Sequence, residues 1–267
     1  MTKRLALLAV SLAALAACAK EPTAAPTPTP TPTEAPTAAS LDAGVLLAAE
    51  GRLPADPADD AARKPADVLA FAGVAPGQKV FEMEAGSGWY TELLVRAVGP
   101  GGQVTMQAPP EFQEFYREPL AARLANNRLP NVRVSWTPFE HLDAEPGSVD
   151  LVTWFLGPHE LHFKTPGFPN GLGDPAKVYA EVFRILKPGG AFVVMDHVAN
   201  AGTTPDAGGA IHRIDPRLVR AGLEHAGFTI EEESTLLATA EDDHTKQAVG
   251  AHFKTDQFLF RAVKPAS

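Results

Sequence analysis

The stretch Val80-Phe81-Glu82-Met83-Glu84-Ala85-Gly86-Ser87-Gly88-Trp89-Tyr90 constrains the fold more than any other, because an apolar run breaks at two closely spaced glycines and resumes with a helical period. Residues 78–83 read as a buried strand, and Trp89 to Val98 carries apolar side chains three and four apart, as a helix does. A strand, glycine turn and helix in succession imply a parallel sheet, and such sheets bind ligands at the carboxyl ends of their strands. Gly86 and Gly88 leave the backbone bare enough for a ligand to approach. A dinucleotide fingerprint needs a third glycine where Thr91 stands, and no phosphate-loop lysine follows the turn. NAD, FAD and a nucleotide triphosphate are therefore disfavoured.

The alternation continues along the chain. Strands are expected at 103–107, 131–136, 149–156, 191–196, 229–233 and 257–262. Between them lie the face of Phe112, Tyr116, Leu120 and Leu124, the face of Val178, Val182 and Ile185, and a helix opened by Asp215-Pro216 and running to His225. The expected architecture is α/β: a doubly wound, mostly parallel seven-stranded sheet over 76–267, preceded by a helical cap over 41–75.

The first forty residues have a different character. Lys3 and Arg4 precede an apolar run from Leu5 to Ala17, built like an export signal over 1–17. The run closes in Leu15-Ala16-Ala17-Cys18, which resembles the bacterial lipoprotein signal; that resemblance implies lipidation of Cys18 and a place outside the cytoplasm, on the periplasmic side of the outer membrane. Residues 18–40 are nearly all Pro, Thr and Ala, a tether that reaches about 60 Å at ~3.1 Å per residue. The lipid is the one membrane contact expected. With 23 Lys and Arg against 32 Asp and Glu, the formal charge of -9 argues against nucleic acid as partner and leaves a small molecule. Cys18 is the single cysteine, which excludes internal disulfides and thiol catalysis. Nothing in the pattern fixes the oligomeric state.

Further motifs follow the glycine turn in order. Gly147-Ser148-Val149-Asp150-Leu151-Val152 forms the fourth strand, and Arg184-Ile185-Leu186-Lys187-Pro188-Gly189-Gly190 precedes the fifth. This succession resembles the class I S-adenosylmethionine-dependent methyltransferases over 63–264. Residues 88–94, His197, Ile211 to Asp215 and Lys254 to Phe258 are similar to a branch of exported members of that superfamily. The resemblance implies S-adenosylmethionine as cofactor and methyl transfer as activity. It places Glu82 at the methionine portion of the cofactor, which lies over Gly86, Ser87 and Gly88. It also places Phe139 near the adenine and Phe155 and Leu156 as walls; the sulfonium is a cation, which an aromatic neighbour such as Trp89 or Tyr90 can stabilise. The chain departs from the family pattern twice. Glu84 stands where glycine is usual. Gln107 stands where an acid usually grips the ribose, and an amide forgoes the charge-assisted bond.

Methyl transfer from a sulfonium asks the protein to align the acceptor and to remove its proton. His159 follows the fourth strand, His197 the fifth, and His212 a later loop, so all three should meet above the carboxyl edge. His197 or His159 is the expected general base, with His212 and Arg213 orienting the acceptor. The spacing of His159, His162, His197 and His212 matches no metal motif, and no metal is assigned. The competing reading is an accessory lipoprotein that keeps the fold and binds a ligand without turnover.

Overall fold

A computed structural model describes residues 42–48, 50–250 and 254–266. The export signal, Cys18 and the tether lie outside the described residues. A seven-stranded sheet runs through the domain: β1 (Lys79–Met83), β2 (Gln103–Ala108), β3 (Val132–Trp136), β4 (Val149–Phe155), β5 (Leu186–His197), β6 (Thr229–Ser234) and β7 (Gln257–Val263). Its order is β3-β2-β1-β4-β5-β7-β6, with β7 antiparallel to both neighbours and the other pairings parallel. Strand order reverses between β1 and β4, which is where a doubly wound sheet opens its ligand crevice.

Alternation along the strands sorts side chains between two cores. Phe81 and Met83 join Phe139, Trp154, Phe192 and the helices α6 (Pro175–Ile185) and α8 (Pro216–His225) on one face. Val80, Val104, Leu151 and Val193 face the opposite way, against α3 (Pro65–Ala72) and α4 (Trp89–Val98). The same period carries Glu82 to the α4 face with Val80. Helix starts follow their caps: Asp174 accepts from the Ala176 and Lys177 N–H groups ahead of α6, and Asp215 accepts from Arg217 N–H ahead of α8. Each is followed by proline in the first turn.

The cap is more broken than a helical segment over 41–75 suggests. It comprises α1 (Ala43–Leu47), a 3-10 turn over Asp56–Asp59, α2 (Asp60–Arg63) and α3, which stops at the left-handed Gly73. Prolines at 54, 57 and 65 account for the interruptions. A second difference lies in β5, which starts at Leu186 rather than 191. Val149 pairs with Leu186 and Leu151 with Ala191, so residues 187–190 form a bulge in the strand where a free turn was expected. Three further elements complete the fold: α5 (Gln113–Leu124), a 3-10 turn over Pro158–Leu161, and α7 (Pro205–Ala210). Among the described residues no helix is long and apolar enough to cross a membrane.

One buried ion network joins the cap to α4, α5 and the glycine turn. Arg123 on α5 bonds Asp56 of the cap at 2.5 Å and Glu92 of α4 at 2.7 Å, and its Nε donates to the Ser87 carbonyl at 3.0 Å. Arg128 bonds the other oxygen of Glu92 at 2.7 Å. Removing one member of a buried network leaves uncompensated charge. Arg123→Ala is therefore expected to destabilise the fold by about 3–5 kcal/mol in chemical denaturation, against about 1 kcal/mol or less for the exposed Arg117→Ala.

Candidate active site

The chain leaves β1 and turns sharply before α4. Glu84, Gly86 and Gly88 all adopt positive φ, 49°, 58° and 79°. The turn is pinned to β2: Ala85 N–H donates to the Gln107 carbonyl at 2.8 Å, and Glu84 N–H donates to Gln107 Oε1 at 3.1 Å. Gly88 is the cap residue of α4 and offers no side chain to its first turn. The positive end of that helix is consequently open towards the turn.

A cavity of about 250 Å³ lies there, lined among others by Glu82, Gly86, Ser87, Trp89, Phe155 and Leu156. Glu84 and Trp89 border the hollow without filling it. Glu84 turns its carboxylate to Trp154, whose indole N–H donates at 3.0 Å. Trp89 donates to the Asp56 carbonyl at 3.1 Å, with the Arg63 guanidinium 3.8 Å from its ring centroid. Gly157 closes this corner: a Cβ there would lie 1.8 Å from the Trp154 indole nitrogen and 2.3 Å from Glu84 Oε2. Arg63, Glu84, Tyr90 and Tyr116 also line the cavity. Arg63 and Tyr116 arrive from α2 and α5, and no local motif in the sequence marks a residue delivered by a distant helix.

Glu82 is fully enclosed and accepts from the Thr91 hydroxyl. Burial pushes its carboxyl up to about 8, against the opposing pull of Thr91, Arg63 and Arg123. Burial, and then the charge of Glu160, holds Glu84 well above the ordinary carboxylate range. Glu84 thus lines the cavity and also feels a second cluster.

That cluster forms where three segments meet at the carboxyl edge. The 3-10 turn after β4 supplies His159 and Glu160, and β5 ends in Asp196 and His197. The loop carrying His212 is held beside β5 because Ile214 N–H donates to the His197 carbonyl at 3.0 Å and Ala199 N–H to the Ile214 carbonyl at 2.9 Å. His159 Nδ1 donates to Asp196 at 2.9 Å, and its Nε2 lies 3.1 Å from His212 Nδ1. Burial opposes a charged His159, but Asp196 and then Glu160 outweigh it and raise the imidazole to about 10. Glu160, despite burial, is held down at about 2 by bonds from His159 and His212.

Residues 82–194 match the family model described as a methyltransferase domain. The sheet order and its flanking helices are those of the class I methyltransferase fold. Among curated proteins, an arsenite methyltransferase of Halobacterium salinarum is 29% identical over 133 residues, covering 49% of this chain and 30% of its own. A ubiquinone/menaquinone biosynthesis C-methyltransferase of Hydrogenovibrio crunogenus is 27% identical, covering 48% and 45%. The matches thus cover less than half of either curated relative's own length. A methyltransferase structure from Aquifex aeolicus superposes with a TM-score of 0.54 at 19% identity, covering 77% of this chain and 98% of that one. Geranyl diphosphate C-methyltransferase from Streptomyces coelicolor gives 0.56 at 14% identity, with 84% of each covered.

Several of the residues expected at the site stand apart from the cavity. Gln107 is completely buried, and its amide is committed to the protein: Oε1 accepts from Glu84 N–H while Nε2 donates to the Thr137 carbonyl at 2.6 Å. It holds the turn's shape and is not among the residues that line the cavity. Phe139 is enclosed in the core, 4.9 Å from Trp154 between ring centroids, and lines no part of the cavity. Gly88 sits beneath the turn, where a Cβ would press on Met106 and Arg123. His197 Nδ1 is bonded to the Thr255 hydroxyl at 2.6 Å, and burial lowers the ring to about 4, leaving it neutral and weakly basic. The Arg213 guanidinium forks onto Asp242 at 2.8 and 3.0 Å and bonds the Val198 and Lys246 carbonyls, so it fastens a loop. His162 lines a separate surface cavity beside Lys164 and Asp206.

The raised carboxyl of Glu82 gives stability a defined pH dependence. A group whose pKa is higher folded than unfolded contributes stability below its unfolded value and loses it as pH rises through the folded one. Stability is accordingly expected to fall from about pH 5 to about pH 9. Glu82→Gln, which cannot ionise, flattens that fall in denaturation midpoints taken at both ends.

Proposed function

We propose that the protein is an S-adenosylmethionine-dependent methyltransferase acting on a small molecule, and that it works outside the cytoplasm, anchored through Cys18. The observation that carries the reading is the cavity at the glycine turn, where a buried acid and the open amino end of a helix face one hollow. An amino acid needs that pair of opposite charges. Glu82 would take the ammonium group, and the N–H groups of Gly86 and Ser87, backed by the α4 dipole, would take the carboxylate. Tyr90, Trp89 and Phe155 present aromatic surface of the kind that stabilises a sulfonium. When bound, the cofactor supplies an activated methyl group and its own leaving group.

The acceptor side of this reading is the cluster of His159, Glu160 and His212, which adjoins the cavity through Glu84. Asp196 orients His159 by bonding its Nδ1 and its backbone N–H, the latter at 2.8 Å. Arg63 and Tyr116 line the same cavity and would help to enclose a bound cofactor. The extracytoplasmic placement rests on the order of charge, apolar run and Cys18.

Calorimetric titration of the full chain in detergent with S-adenosylmethionine and S-adenosylhomocysteine tests the reading. Binding is expected, with Glu82→Gln weakening it by about 1.5–3 kcal/mol, roughly ten- to hundredfold. A carboxyl near 8 when empty ionises against an ammonium group, so binding near neutral pH releases up to one proton. Titrations in buffers of different ionisation heat will show it. The internal engagement of Gln107 favours a second reading, an accessory lipoprotein that binds a different ligand at this turn. Silence at millimolar concentrations of both compounds would overturn the methyltransferase reading and favour that alternative.

A further inference from the structure

The fold brings together ligating side chains that are widely separated in the sequence. His159 Nε2, His212 Nδ1 and Glu160 Oε1 form a triangle with sides of 3.1, 3.3 and 3.5 Å. Around a tetrahedral metal with bonds of 2.0–2.1 Å, neighbouring donor atoms lie about 3.3–3.4 Å apart, whereas an octahedral centre with similar bonds draws them to about 3.0 Å. The triangle therefore has tetrahedral dimensions. We propose that His159, Glu160 and His212 form a binding site for a divalent transition-metal ion, with zinc the best fit.

Three observations converge on this. The first is the triangle itself. The second is the support behind it: Asp196, entirely buried, holds the Nδ1 proton of His159 and turns Nε2 towards the centre, where a metal would take the place of the Nε2 proton. A carboxylate bonded to the far nitrogen of a metal-bound histidine is a recurrent supporting arrangement, and its loss lowers affinity by about 10- to 100-fold. The third is Glu160, which is 8% exposed and whose Oε2 is buried with no hydrogen-bond partner among the described residues. Leaving a buried carboxylate oxygen unpaired is costly unless a cation shares it. His212 is held at a φ of 53°, a conformation few histidines adopt, and it is this conformation that places the ring opposite His159.

Two histidines and one carboxylate leave a coordination position for a water or an oxygen of the acceptor. The inference deepens the acceptor side of the proposed function, but its test uses metal alone and no cofactor, so the two readings fail separately. The untagged full chain in detergent is stripped with chelator and titrated with cobalt(II), whose visible absorption reports tetrahedral nitrogen and oxygen ligands. One cobalt per chain is expected, displaced by one equivalent of zinc. Glu160→Gln and His212→Gly, the latter compatible with the local backbone, are each expected to weaken binding by a hundredfold or more. Asp196→Asn should weaken it by about 10- to 100-fold, and His162→Ala should change nothing. Thermal unfolding verifies that each variant is folded. The proposal is overturned if the wild-type chain shows no stoichiometric cobalt spectrum up to millimolar metal, or if folded Glu160→Gln and His212→Gly bind as tightly as wild type.

Discussion

The bonds made by Arg123 hold the functional end of the molecule in place. One guanidinium joins the cap through Asp56, α4 through Glu92 and the glycine turn through the Ser87 carbonyl. The turn runs straight into α4, while the cap and α5 arrive from elsewhere in the chain, and residues from all four line the cavity. Two anions and one carbonyl around a single buried cation form a geometry that tolerates little displacement, because each bond lost uncovers charge in a dry interior. The rigidity that a ligand site requires is thus supplied from beneath the turn rather than by the residues that would touch a ligand.

Gln107 acts from the β2 side in a related way. Its amide ties the start of the turn to the Thr137 carbonyl, so the positive φ of Glu84 is secured by a side chain bonded at both ends. An ionised acid at 107 would accept from the Glu84 N–H but would have nothing to donate to Thr137. The amide is therefore the residue type that this local network demands, and the departure from the family pattern has a structural cause.

Much of the architecture was legible in the sequence because periodicity is a local property. The alternation of Val80 and Glu82 with Phe81 and Met83, and the spacing within Trp89 to Val98, each specify one element. The convergence of His159 and His212 followed from topology, since both trail strands whose carboxyl ends share an edge. What could not be read was orientation. His197 ends β5 as expected, yet Thr255 captures its ring, and Arg213 follows His212 directly yet serves a loop. Phe139 occupied the anticipated stretch after β3 but packs on Trp154. Partners such as Thr255 and Asp242 lie 58 and 29 residues away, and no local pattern announces such a pairing. Glu160 was passed over for the same reason: its role depends on His212, which a loop delivers from 52 positions downstream.

Gly157 has a consequence for how such chains can diverge. Because the indole of Trp154 and the carboxylate of Glu84 occupy the volume that any larger residue would need, position 157 is not free to drift while those two persist. The three positions are bound together sterically. A chain with a small side chain at 154 and glycine at 84 would release 157 to carry a larger residue.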